Sequence, residues 1–254
     1  MQGGSVSARP DRNSHDSRVP WNGHAGGWGG AAYFGTSAGV TRTPVVFVHG
    51  NRSEADAWQA HAADLLCAGA SGDDVWAVEF SSRTPSHDQM AAELEAFVSA
   101  LRAHTGCGEV DIVAHSLGVT GVRHWMATRD GDEHVRRFVS IAGANHGLKL
   151  ATSPARFGVS SGPFGPAQFL RDDYERVPAH PLAKLNEPPE VPEGVTAFTV
   201  RGRRDRLFAG SRDSPLLANA ERNILLDTGH LGSKNGTRAR AVVLSLLTGS
   251  AGNH

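Results

Sequence analysis

Three residues of this 254-residue chain have types and surroundings suited to acyl-transfer chemistry. Ser116 sits at the tip of Ala114-His115-Ser116-Leu117-Gly118, directly after the apolar run Val110–Val113. A strand, a sharp turn and a following helix would expose such a serine hydroxyl, and the strained turn requires small residues two before and two after it. Ala114 and Gly118 meet that requirement. His230 lies within Gly229-His230-Leu231-Gly232, a short loop able to hold an imidazole over the serine as general base. Asp205, in Arg201-Gly-Arg-Arg-Asp205, can orient that imidazole through its other nitrogen. A tetrahedral intermediate also needs two backbone donors for its oxyanion. The N–H of Leu117, just after the serine, is one candidate, and that of Asn51, in His49-Gly50-Asn51, is the other.

Other residues compete for these roles. Asp227 is a rival acid, but it stands only three residues before His230. Asp111 falls on the N-terminal side of the strand that carries the serine, away from its tip. His115 and His146 adjoin strand ends and read as packing or supporting groups rather than bases. With His230 as base, activity should rise from acid pH with a midpoint near the ordinary imidazole value of about 6.5, displaced by its acid partner.

The elements that must position these groups alternate. Buried strands are expected at 43–50, 74–80, 110–113, 137–142, 196–200 and 223–226. Between them the apolar spacing predicts helices over 54–67, 86–104 and 117–128, and a closing helix over 237–247. This is an α/β pattern: a mostly parallel six-stranded sheet with helices on both faces. In such sheets the site lies beyond the C-terminal ends of the strands, where all the candidates fall. Residues 148–193 break the periodicity and read as an inserted cap or lid. Residues 1–40 are expected to be a flexible Gly/Trp-containing segment, its aromatics docked on the surface or contacting substrate, with a single domain over 41–250.

Composition narrows the classes. A net charge of -1 gives no field for nucleic acid, and no apolar run reaches the roughly 20 residues of a bilayer span. No nucleic-acid partner, no stable membrane insertion and a monomer are therefore expected. The 13 histidines form no metal signature, so no metal or cofactor is expected. Cys67 and Cys107 read as free thiols. The N-terminus has no signal-peptide pattern, which points to the cytoplasm by default, or to secretion if the chain begins at a mature start.

Thr43-Pro-Val-Val-Phe-Val-His-Gly-Asn51, Val110-Asp-Ile-Val-Ala-His-Ser-Leu-Gly118, Gly143-Ala-Asn145 and Gly229-His-Leu-Gly232 together resemble the small bacterial lipases of class 2 in the α/β-hydrolase superfamily. The resemblance covers about residues 43 to 248. It implies the α/β-hydrolase fold and a triacylglycerol or carboxylester hydrolase using Ser116, Asp205 and His230, with Asn51 and Leu117 as oxyanion donors. The chain order serine, acid, histidine is the order of that fold. Gly26–Gly30, Thr41–Val46 and Val135–Gly143 are also similar to lipase-like extracellular polyhydroxybutyrate depolymerases, which makes a polyester a second candidate substrate beside acyl esters and lipids. Two features depart from the smallest lipases: the 148–193 insertion and the charged loop Asn51-Arg-Ser-Glu-Ala-Asp56. A non-catalytic binding module on the same scaffold is the alternative from another class.

Overall fold

The computed structural model describes residues 26–158 and 166–249. Residues 1–25 of the expected flexible segment and 159–165 of the expected insertion lie outside them. Seven strands form one sheet: β1 (Gly26–Gly29), β2 (Val45–Val48), β3 (Val75–Glu79), β4 (Val110–His115), β5 (Val135–Ile141), β6 (Thr196–Gly202) and β7 (Arg222–Leu226). Their order is β1-β3-β2-β4-β5-β6-β7. Every pairing is parallel except β1 with β3. Central strands β2 and β4 are buried along their whole length, as expected of a sheet covered on both faces. In register, Ala114 faces Ser140, Ile141 faces Val200 and Gly202 faces Leu226. The strand ends therefore line up, and the residues that follow them share one edge.

The sheet corrects the six-stranded expectation. Gly26–Gly29 is an antiparallel edge strand rather than part of a flexible segment. Gly27 has φ +151°, and a Cβ there would stand 2.2 Å from the Ala77 carbonyl oxygen. Only glycine lets this backbone lie so close to β3, so the residues that argue against a strand are the ones that permit it. Trp28 is buried and stacks on Tyr33 at 5.5 Å between ring centroids. Two aspartates pin the connection to β2. Asp73 accepts from the N–H groups of Ala31 and Gly39, and Asp74 from those of Thr41, Arg42 and Ser71.

Helices α2 (Gln59–Cys67), α3 (His87–Thr105), α4 (Leu117–Thr128) and α9 (Thr237–Thr248) flank the sheet. The first follows a 3-10 turn, Ala55–Trp58, so the helix expected from 54 begins later. Ser86 caps α3 reciprocally with Gln89. Every residue of α4 from Leu117 to Met126 is buried. Gly121 meets Met90 of α3 there, and an added Cβ would come within 2.7 Å of the Met90 sulfur. Trp125 is fully buried in the same layer, where truncation to alanine would cost about 3–5 kcal/mol.

Among its described residues, the region 148–193 carries three short α-helices, α5 (Lys149–Arg156), α6 (Ala167–Leu170) and α7 (Pro181–Leu185). Arg123 of α4 ties it down. Its buried guanidinium donates to the carbonyls of Asn145, Leu185 and Glu190. Burial pulls its pKa down to about 10, with the Glu190 charge opposing. Phe169 reaches from α6 onto the His87 ring of α3. Cys67 and Cys107 are both free thiols.

Candidate active site

β4 ends at His115, and Ser116 follows with φ 56° and ψ -122°. A non-glycine residue in that region stores about 1–3 kcal/mol of strain. The surroundings hold it there. The Ser116 N–H donates to the Ile141 carbonyl at 2.9 Å. A Cβ on Gly118 would stand 2.4 Å from the His49 carbonyl oxygen, and one on Gly50 would stand 3.0 Å from the Ser116 Cβ. Both glycines are therefore required by close approach at the turn.

The His230 Nε2 lies 3.0 Å from the Ser116 Oγ, and its Nδ1 lies 2.7 Å from Asp205 Oδ2. An ionised aspartate only accepts, so Nδ1 carries the hydrogen and Nε2 is free to accept from the serine hydroxyl. Asp205 is buried and caps the 3-10 turn after β6, its other oxygen accepting from the Leu207 N–H at 3.0 Å. The acid and histidine loops touch at Gly202, where a Cβ would stand 2.5 Å from the Thr228 carbonyl oxygen. Ser233 donates to the His230 carbonyl at 2.6 Å and steadies that loop. The structure thus brings together three residues 89 and 25 positions apart in sequence, Ser116, Asp205 and His230.

Leu117 opens α4, where a first-turn N–H has no acceptor within the helix. Asn51 follows Gly50 in a tight turn closed by Ser53 N–H to the Gly50 carbonyl at 3.2 Å. Both residues line one cavity of about 400 Å³ with Ser116 and His230. Most of its wall is apolar. Leu148, Ala151 and Leu170 come from the 148–193 region, and Leu207 and Phe208 from the acid loop.

Residues 42–164 match the family model described as Lipase (class 2). Among solved structures, the Bacillus licheniformis lipase BlEst2 in its propeptide form superposes with a TM-score of 0.60 at 17% identity over 82% of this chain. This chain spans 50% of that protein, and 92% of its mature form. Aspergillus fumigatus lipase B gives 0.62 at 15% identity, over 82% of this chain and 52% of that one. The carboxylesterase CesB (YbfK) from Bacillus subtilis gives 0.55 at 16% identity, over 89% and 88%. The chain has the α/β-hydrolase fold. The family match supports an ester hydrolase of the lipase and esterase kind.

Other candidates take supporting places in this fold. Asp227 is exposed and pairs with Arg204 at 3.2 Å, outside the relay. Asp111 binds Arg136 through both oxygens near the N-terminal end of β4. His146 bonds the Ser214 carbonyl and Glu190, which fastens the loop after β5 to the end of the 148–193 region. His115 is buried 4.7 Å from the His230 ring, and burial first, then the charges around it, hold its pKa well below the usual imidazole range. It stays neutral and acts as packing. Within the expected turn His49-Gly50-Asn51, the His49 side chain has a part of its own. Its buried ring reaches the Gly50 carbonyl at 2.9 Å and the Phe80 N–H at 3.4 Å, which fixes the turn bearing Asn51. Its position at a strand end was the available signal.

Proposed function

We propose that the chain is a serine carboxylic ester hydrolase that works through an acyl-enzyme on hydrophobic acyl esters. The observation that carries this reading is the hydrogen-bonded line Asp205–His230–Ser116 opening into an apolar cavity. Ser116 Oγ attacks the ester carbonyl carbon as His230 Nε2 takes its proton. Asp205 stabilises the imidazolium and holds its orientation. The N–H groups of Asn51 and Leu117 receive the oxyanion. Collapse of the tetrahedral intermediate breaks the bond to the alcohol, which leaves with the proton from His230. A water then repeats the sequence against the acyl-enzyme, releasing the acid and restoring Ser116.

A polyester is the second candidate substrate. Three side chains at the cavity are solvent-exposed leucines, Leu150, Leu207 and Leu231, and Phe157 stands exposed beyond them at the end of α5. An apolar border open to solvent suits a long chain as well as a short ester. The deciding experiment pairs covalent labelling of Ser116 by a fluorophosphonate with turnover of p-nitrophenyl esters, triglycerides of rising chain length and polyhydroxybutyrate films. Labelling with ester turnover supports the hydrolase. Neither labelling nor turnover returns the chain to a non-catalytic binder.

A further inference from the structure

The catalytic cavity contains a cation that the relay does not use. Lys234 lies in α8 (Gly232–Asn235), four residues after His230, and is only 3% exposed. It lines the same cavity as Ser116, as does Ser53. Its Nζ donates to the Ala57 carbonyl at 3.0 Å and stands 4.7 Å from the centre of the Trp58 ring. An ammonium has three hydrogens to give, so this partner leaves donor capacity over.

Taking an ammonium out of water is costly unless a counter-charge is supplied. Among the described residues no carboxylate forms an ion pair with Lys234. Among the acids of the neighbouring elements, Glu54 pairs with Arg83, Asp64 with Arg240, and Glu79 with the Ala55 N–H and the His49 ring, while Asp56 is exposed. Burial alone, with no acidic neighbour opposing it, pulls the Lys234 pKa down to about 8. The nearby rings of His49, His61 and His115 are kept neutral, first by their own burial and in part by the Lys234 charge. No acid acts on the Lys234 ammonium itself, which lines a cavity whose wall is mostly apolar.

We propose that Lys234, with the Ser53 hydroxyl, forms a carboxylate subsite at the polar end of the catalytic cavity, so that the preferred substrates are esters of which one arm ends in a carboxylate. A half-ester of a dicarboxylic acid and the acid end of a hydroxyacid oligomer share this chemistry. The inference rests on the ester-hydrolase reading above and adds the charge of the substrate to it. The apolar wall takes the body of the ester, and the bound carboxylate supplies the counter-charge that the protein omits.

The test uses matched esters of equal length, one member ending in a carboxylate and the other in a methyl group. One pair carries the carboxylate on the acyl arm, and a second carries it on the alcohol arm. In one of the two pairs, Lys234→Met should lower the ratio of kcat/KM for the charged over the neutral member by about tenfold to a hundredfold, as expected for a charge-assisted hydrogen bond. Most of that change should fall in KM. An equal loss for both members of both pairs overturns the subsite and makes Lys234 a clamp on the Ala57 carbonyl. Calorimetry on the unaltered protein keeps the question open to test if the variant fails to fold. Glutarate should bind more tightly than glutaramide, and Ser53→Ala should narrow the gap. Equal binding of the two overturns the subsite. Turnover of neutral esters without any charge preference leaves the hydrolase standing and defeats the subsite alone. Failure to turn over any ester defeats the hydrolase reading.

Discussion

Two tight spots on this sheet meet the same steric problem in opposite ways. At the elbow after β4, backbone crowding is accepted around a residue with a side chain, and Ser116 is held at φ 56°. At the far edge, β1 lies against β3 and the crowding is removed by having no side chain at all at Gly27 and Gly29. The elbow spends its glycines on the neighbours, Gly50 and Gly118, and keeps the strained position for a hydroxyl. The edge uses its glycines for close approach and sets Trp28 between them as the anchor. Strain kept on a reactive group points to chemistry, whereas strain relieved by glycine points to packing.

The comparison breaks most sharply at the serine. Ser116→Ala should lower kcat for a p-nitrophenyl ester by about 10⁴- to 10⁶-fold. The melting temperature should stay the same, because alanine keeps the backbone and loses only the bond to His230. Substantial residual turnover would mean that the elbow is a packing turn like the edge. Asp205→Asn should follow with a loss of about 10⁴-fold in kcat. An amide can satisfy Nδ1 in the wrong tautomer and leaves Nε2 protonated, unable to accept from Ser116. Kinetics with little change in KM would check it, and a loss confined to KM would remove Asp205 from the relay.

The two spots were unequally legible. The elbow announces itself because its demands fall on residue types at fixed spacing, and because Asp205 and His230 stand at ends of later strands. β1 is opaque for a physical reason. Glycine is read as a strand breaker on entropy grounds, and the carbonyls of Val75 and Ala77 that demand it lie about 50 residues away in sequence. The pair Asp73-Asp74 looks like a solvated turn, yet its carboxylates collect five backbone N–H groups from the segment that follows β1 and from Ser71. Lys234, in the polar run Ser233-Lys-Asn-Gly236, reads as a surface lysine, and only the packing of α8 against Trp58 buries it. The short helices of 148–193 carry too few turns for a periodic signal, and Arg123 holds them through carbonyls, which leave no trace in side-chain pattern.

The edge gives the next largest effect. Gly27→Ala puts a Cβ 2.2 Å from the Ala77 carbonyl oxygen and 2.9 Å from the Phe97 ring. The clash and the unfavourable φ should together cost about 2–3 kcal/mol. Chemical denaturation would report it as a lower midpoint with an unchanged slope. Ester turnover at room temperature should persist, since β3 and β2 stand between β1 and β4. Gly118→Ala is the control. Its Cβ meets the His49 carbonyl at 2.4 Å, so it should cost stability and activity together.

Acid separates the two spots last and least. The histidine loop is anchored through the Lys234 carbonyl, 3.1 Å from Nε2 of His61. Burial lowers the His61 pKa from 6.5 to about 4. Between those values the unfolded chain binds the proton and the folded chain does not, so stability is whole above the unfolded value and falls as pH drops toward the folded one. Asp73, at the edge, follows another window. Burial would raise its pKa, but the N–H groups of Gly39 and Ala31 and the neighbouring His104 outweigh it and hold it below the usual carboxylate value. Its contribution is kept until the pH falls below that value. Acid should therefore loosen the site side before the edge. Going from about pH 7.5 to about pH 5.5, His61 alone should account for a loss of about 1 kcal/mol. His61→Gln keeps a polar group facing the carbonyl and cannot titrate, so its stability should fall by about that much less over the same interval. Hydrogen exchange should place the added opening in residues 230–236 and leave residues 26–34 as protected as before. Equal loosening of both regions would show that they unfold as one cooperative unit, and that the elbow and the edge differ in backbone strategy but not in local stability.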